Sequence, residues 1–281
     1  MRRFLAALAW MLAAAAVALG VWQATGNREF DGPPLLAAGA ILLAAAVISV
    51  AVYRVTAWAA FPALVVVGLV VTAHRVDHDS PVQPSGSMAA EWLLLAALVI
   101  LSGVLVLVVR RRIGTGTTGA LADSVIVGLG GWLVVWVLLI EPAMSASSDD
   151  VLTAVRAATL AAAIGVLFLV ATLVFSDTST RGATGLLAGS AVALLVFVVD
   201  RAVEFRAAGS PLEHSALVDA PVLTMTVLVA AALLHPGLIH LAGGRRSRQA
   251  QPVVARIVAT TAALVAPVIV LTTIDPAVTS D

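Results

Sequence analysis

DSVIVGLGGWLVVWVLLIEP, from Asp123 to Pro142, is the stretch on which the reading of this chain turns. Seventeen residues without a charge separate Asp123 from Glu141. At about 1.5 Å of rise per residue they make a helix of roughly 26 Å, close to the hydrocarbon thickness of a bilayer. A membrane span is expected here. Ser124, Gly128, Gly130 and Gly131 thin part of it, which favours close neighbours, and Trp132 and Trp136 share a face four residues apart. The flanks differ in charge: Arg110, Arg111 and Arg112 stand before the span, whereas Glu141, Asp149 and Asp150 follow it. Asp123 is read as the helix N-cap.

Outward from this span the composition has the same character. The 281 residues are 61% hydrophobic and 11% charged, with a mean hydropathy of +1.06, far more apolar than an ordinary soluble domain. The expected class is all-α: a polytopic transmembrane helical bundle of about nine spans, forming a single integral membrane domain over residues 1–281. The spans are expected near 4–22, 35–52, 57–73, 92–109, 123–140, 151–175, 186–203, 216–234 and 257–274. The first exceeds the usual apolar core of a signal peptide and is read as a retained span, although the run Ala13 to Ala16 leaves cleavage open. There is no cysteine, hence no disulfide and no thiol chemistry. Charge and composition imply no nucleic-acid surface.

Every basic residue is Arg, and the arginines are segregated. With the amino terminus inside, the inner set is Arg2, Arg3, Arg54, Arg110, Arg111, Arg112, Arg181, Arg245, Arg246, Arg248 and Arg256. The outer set is Arg28, Arg75, Arg201 and Arg206. This fits the positive-inside rule for a multi-pass protein of the cytoplasmic membrane. An odd span count puts the carboxyl terminus outside.

Ionisable residues within spans are the first place to look for function, because burying them is costly. Arg156, Asp200 and Asp219 fall within about two turns of the outer ends of their spans. With Glu141 they are candidate ligand-binding residues in an outer polar pocket; snorkelling to headgroups or structural ion pairing is the plainer reading. In HRVDHD, residues 74–79, His74, His78, Asp77 and Asp79 offer imidazole and carboxylate to a divalent metal. Pro81 and Pro84 argue against a long helix there, so a solvated loop is the simpler expectation. His235 and His240 flank the inner end of the eighth span and read as interfacial. GTGTTG at residues 114–119 lacks the Lys of a phosphate loop, and no GxSxG or HExxH occurs, so neither catalysis nor a cofactor is expected.

Three pieces, DSVIVGLGGWLVVWVLLIEP at Asp123 to Pro142, VVDRAVEF at Val198 to Phe205 and AALLHPGLIHL at Ala231 to Leu241, carry a resemblance. An Arg-rich linker and a span containing Ala266-Pro267 follow them in order. The chain from Ala120 to Ile274 resembles the multi-span membrane regions preceding GGDEF, often GGDEF and EAL, domains in actinobacterial cyclic-di-GMP signalling proteins. It departs where that family often opens the sixth span with Tyr-Pro and a following Asp; here the stretch is VLTAVRAATLAAAIG with Arg156. The sequence contains no GGDEF or EAL residues to carry over. The resemblance implies a non-catalytic sensory or signalling region that responds to a ligand or membrane state and passes the change to a membrane or cytoplasmic partner. A small-molecule transporter and a structural membrane partner are the alternatives. A reporter active only inside, fused after Asp281, is expected to be silent; an active one breaks the nine-span count.

Overall fold

The computed structural model describes residues 2–26, 33–53, 57–78, 88–113, 150–176, 181–207 and 219–239. The expected fifth and ninth spans, with the glycine-rich stretch that opened the reading, lie outside these residues. The described residues form seven helices and no strand. They are α1 (Arg2–Gly26), α2 (Pro33–Tyr53), α3 (Ala57–His78), α4 (Met88–Ile113), α5 (Asp150–Ser176), α6 (Arg181–Ala207) and α7 (Asp219–Leu234).

Runs of Ala, Leu and Val favour helices, and the breakers sit where helices tolerate them. Pro33-Pro34 opens α2 and Pro221 lies in the first turn of α7, where a missing N–H costs nothing. Pro62 lies inside α3, as membrane helices allow. Four helices are long and apolar enough to cross a bilayer, over Pro34–Tyr53, Met88–Arg110, Val151–Val170 and Gly182–Val199. The other three carry shorter apolar stretches, Arg3–Leu19, Ala60–Val76 and Ala220–Leu234.

Two boundaries differ from expectation. Helix α3 continues through His78, so the reading of a polar loop from His74 onward is corrected; Pro81 and Pro84 come too late to stop it. Helix α6 begins at Arg181 rather than near residue 186, because Gly182, Ala183 and Thr184 extend the apolar face toward the amino end.

One cluster of buried apolar side chains runs through all seven helices. In contact order, α3, α4, α5, α6 and α7 pack successively, and α7 returns to α2 and α3 while α1 lies against it. Helix α7 is thus the central element, and every residue from Ala220 to Leu234 except Thr224 is buried. Small residues permit this closeness. Ala9 and Ala13 of α1 are buried in the main cluster, and Ala16 packs with Leu223 and Val227 of α7. On the outward faces Trp10, Leu36, Leu43, Phe61, Trp92 and Val196 are exposed, as lipid-facing residues are.

Five hydroxyls bond within their own helices. Ser49 donates to the Ala46 carbonyl, Thr159 to Val155, Thr172 to Phe168, Ser190 to Leu187 and Thr226 to Val222. These hydroxyls are therefore satisfied locally, without lining a polar path between helices. Ala9→Leu is expected to destabilise the protein by about 1–3 kcal/mol through overpacking against α7. Ala7→Leu, on the exposed face of α1, is expected to change stability by less than about 0.5 kcal/mol. Thermal unfolding in detergent compares the two.

Candidate functional site

Glu91 lies in the first turn of α4, where the exposed N–H groups of a helix start favour a carboxylate. It is in phase with Leu94 and Leu98, both buried, so the periodicity of α4 drives it inward. Arg156 shares its face of α5 with Leu160 and Ala163, and Arg201 follows Leu194, Phe197 and Val198 on the buried stripe of α6. Three charged residues on three apolar stripes thus converge.

Both guanidinium groups donate to the same Glu91 oxygen. Arg156 Nε lies 3.1 Å and Arg201 Nη2 3.0 Å from Oε1. The side chains are 12%, 7% and 3% exposed for Arg156, Arg201 and Glu91, so the cluster is buried rather than snorkelled. Helix α5 packs against both α4 and α6, and the Arg201 side chain reaches to α4. The cleft lined by these residues with Leu94, Thr159, Leu160 and Val198 has a volume of about 10 Å³, room for roughly one water. An organic ligand does not fit it.

The cluster extends to a fourth helix. The Arg201 guanidinium lies over the Phe197 ring, 5.7 Å from its centroid, and His74 of α3 meets the same ring edge-on at 6.0 Å. The spacing of four residues between Phe197 and Arg201 stacks one above the other on α6. His74 is buried among these groups and does not sit in a solvated loop. Among the described residues no three His, Asp or Glu side chains gather as a metal would require.

At the opposite end of the bundle the chain leaves α7 through His235-Pro236-Gly237. The His235 N–H still closes the helix onto the Ala231 carbonyl, and Pro236, with no N–H, ends it. His235 Nδ1 accepts the Gly237 N–H at 3.0 Å. The imidazole lies against Gly182 so closely that a methyl group there would come within 2.3 Å of Nε2. Trp10 meets the ring edge-on at 6.3 Å, and the Tyr53 hydroxyl donates to the Leu234 carbonyl.

Of the expected outer group, Arg156, Asp200, Asp219 and Glu141, only the Arg156 side chain is among those described. Arg156 joins Arg201, expected among the outer arginines, on the carboxylate of Glu91. Asp200 belongs to α6 and Asp219 is the first residue of α7, but their side chains, like those of Asp77 and His78, are outside the described part. Glu141, Asp79, Arg245, Arg246, Asp123 and His240 lie outside the described residues altogether. Arg110 is exposed near the end of α4, and Arg111 and Arg112 continue that helix. The missed signal was phase: Glu91 and Arg201 each fall three or four residues from a buried leucine or phenylalanine.

No protein family, curated protein or solved structure matches the chain. Removing one member of a buried ionic group costs more than the group contributes, because the remaining charges stay desolvated. Glu91→Gln is expected to destabilise by about 3–5 kcal/mol. Trp92→Leu, on the exposed side of the same turn, is expected to change stability by less than about 0.5 kcal/mol. Thermal unfolding in nanodiscs checks both.

Proposed function

We propose that this protein is a non-catalytic membrane sensory module that responds to the state of the bilayer and hands the change to a partner. The supporting observation is the Glu91, Arg156 and Arg201 cluster, which joins α4, α5 and α6 and which Phe197 extends to α3. Such a group has few satisfactory arrangements, so it favours discrete packings of the helices over gradual deformation. The stimulus is placed in the bilayer rather than in the cleft beside the cluster, which is too small for an organic ligand. Wide apolar faces on α1, α2 and α4 provide the contact with lipid.

In this reading the cluster end faces outward and the basic end, with Arg110, Arg111, Arg112 and the Arg245-Arg246 linker, faces the cytoplasm, where a signalling partner would dock. The resemblance to the membrane regions of cyclic-di-GMP signalling proteins supports the same assignment. Transport is less well supported, since the hydroxyls named above are satisfied within their own helices.

The absence of cysteine makes paired labelling direct. Spin labels on Trp92→Cys and Val196→Cys, both at exposed positions of α4 and α6, report the spacing of these helices. The distance distribution is expected to shift between short-chain and long-chain phosphatidylcholine nanodiscs. A distribution that stays constant overturns the bilayer-sensing reading, as does solute counterflow in proteoliposomes.

A further inference from the structure

We propose that His235 is a proton-operated latch that, while neutral, fastens the exit turn of α7 to α1 and α6, and releases it when protonated. Its stimulus and its place in the fold are separate from the bilayer response, and it requires only the packing at its own end. Three contacts define it. The Gly237 N–H donates to His235 Nδ1, so that nitrogen is the acceptor and the neutral ring carries its proton on Nε2. Protonating Nδ1 replaces the acceptor with a donor and turns this hydrogen bond into a repulsive N–H to N–H contact. The ring is pressed on the Gly182 backbone, where no side chain separates the two helices, and Trp10 closes another side.

Among the described residues the surroundings offer an imidazolium little compensation. The packed elements bring Tyr53 of α2, whose hydroxyl already donates to the Leu234 carbonyl. They also bring Arg181, which precedes Gly182 on α6, and Arg3, two turns before Trp10 on α1. Every acidic residue of the described helices, Asp77, Glu91, Asp150, Asp200, Glu204 and Asp219, belongs to the opposite end of its helix. Gly182 is also in the first turn of α6, whose exposed N–H groups repel a cation. His235 lies just beyond the apolar span, and burial holds its imidazole below the ordinary value of 6.5. Since the folded protein binds this proton less readily than the unfolded chain, the stability contributed by the site is complete above the unfolded value and falls as the pH drops through the imidazole range.

The test is the amide signal of Gly237 in the whole chain, labelled with 15N-glycine and held in nanodiscs. The signal is identified by its loss in Gly237→Ala. Between about pH 8 and about pH 5, across the imidazole range, the Gly237 signal is expected to move with a single midpoint below the ordinary histidine value. In His235→Asn, whose amide oxygen takes the place of Nδ1 without titrating, it is expected to stay fixed. Gly182→Ala is expected to displace the ring and move the signal, already at neutral pH, toward its acid position. A Gly237 signal unmoved by acid in the unaltered protein overturns the latch, whether or not the variants fold. So does one that titrates equally in His235→Asn.

Discussion

A single carboxylate oxygen, Glu91 Oε1, receives hydrogen bonds from guanidinium groups on two other helices, and the arrangement of α4, α5 and α6 depends on that shared acceptor. In a dry interior an unpaired charge costs several kcal/mol, so a slip of one helix by a turn would strand at least one of these groups. Apolar packing alone permits many such slips, because Ala, Leu and Val on one turn resemble those on the next. The ionic cluster adds little net stability by the usual balance of desolvation against attraction. A register that kept all three groups paired would be favoured over its neighbours by the desolvation cost of stranding one of them.

Helix α6 carries the two unusual ends of the bundle. Nineteen positions separate Gly182 from Arg201, roughly 28 Å along a helix, about the thickness of the hydrocarbon layer. At one terminus the helix donates a cation and an aromatic ring to the buried cluster; at the other it offers a bare backbone to an imidazole. Between them Gly189 approaches α7 so closely that a methyl group would lie 3.2 Å from Leu228 Cδ1. The Leu228 side chain thus packs directly on the α6 backbone, which brings the two helices close.

The sequence made the helices legible and the site only partly so. Helix positions follow from long apolar runs, which is why five of the seven described helices cover their expected ranges with modest extensions, while α6 starts earlier and α7 starts three residues later, at Asp219. The site depended on rotation about the helix axis, which hydropathy alone ignores. Asp200 and Arg201 differ by one residue, hence by about 100° around α6, and Arg201 is the one that follows Phe197 inward. Arg156 is legible as a charge within a span, but its partner Glu91, in the first turn of α4, is not marked out by hydropathy. His74 was misread because the local prolines suggested a loop, whereas the apolar face of α3 carries the helix on through it.

The contact between Glu91 and Arg156 also fixes the relative direction of α4 and α5. Glu91 and Arg156 lie near the beginnings of their helices and touch, so these two neighbours run parallel. Helix α4 therefore ends, and α5 begins, at opposite ends of the bundle. The two ends consequently differ in kind. The cluster end collects the acids of the described helices and pairs charge with charge, so excluding water strengthens its contacts. The histidine end depends on neutrality, so the same exclusion makes any added proton disruptive. Within the described helices the charged groups are thus kept from competing with the uncharged turn, because a carboxylate placed beside His235 would stabilise the imidazolium and remove the reason for the ring to stay neutral.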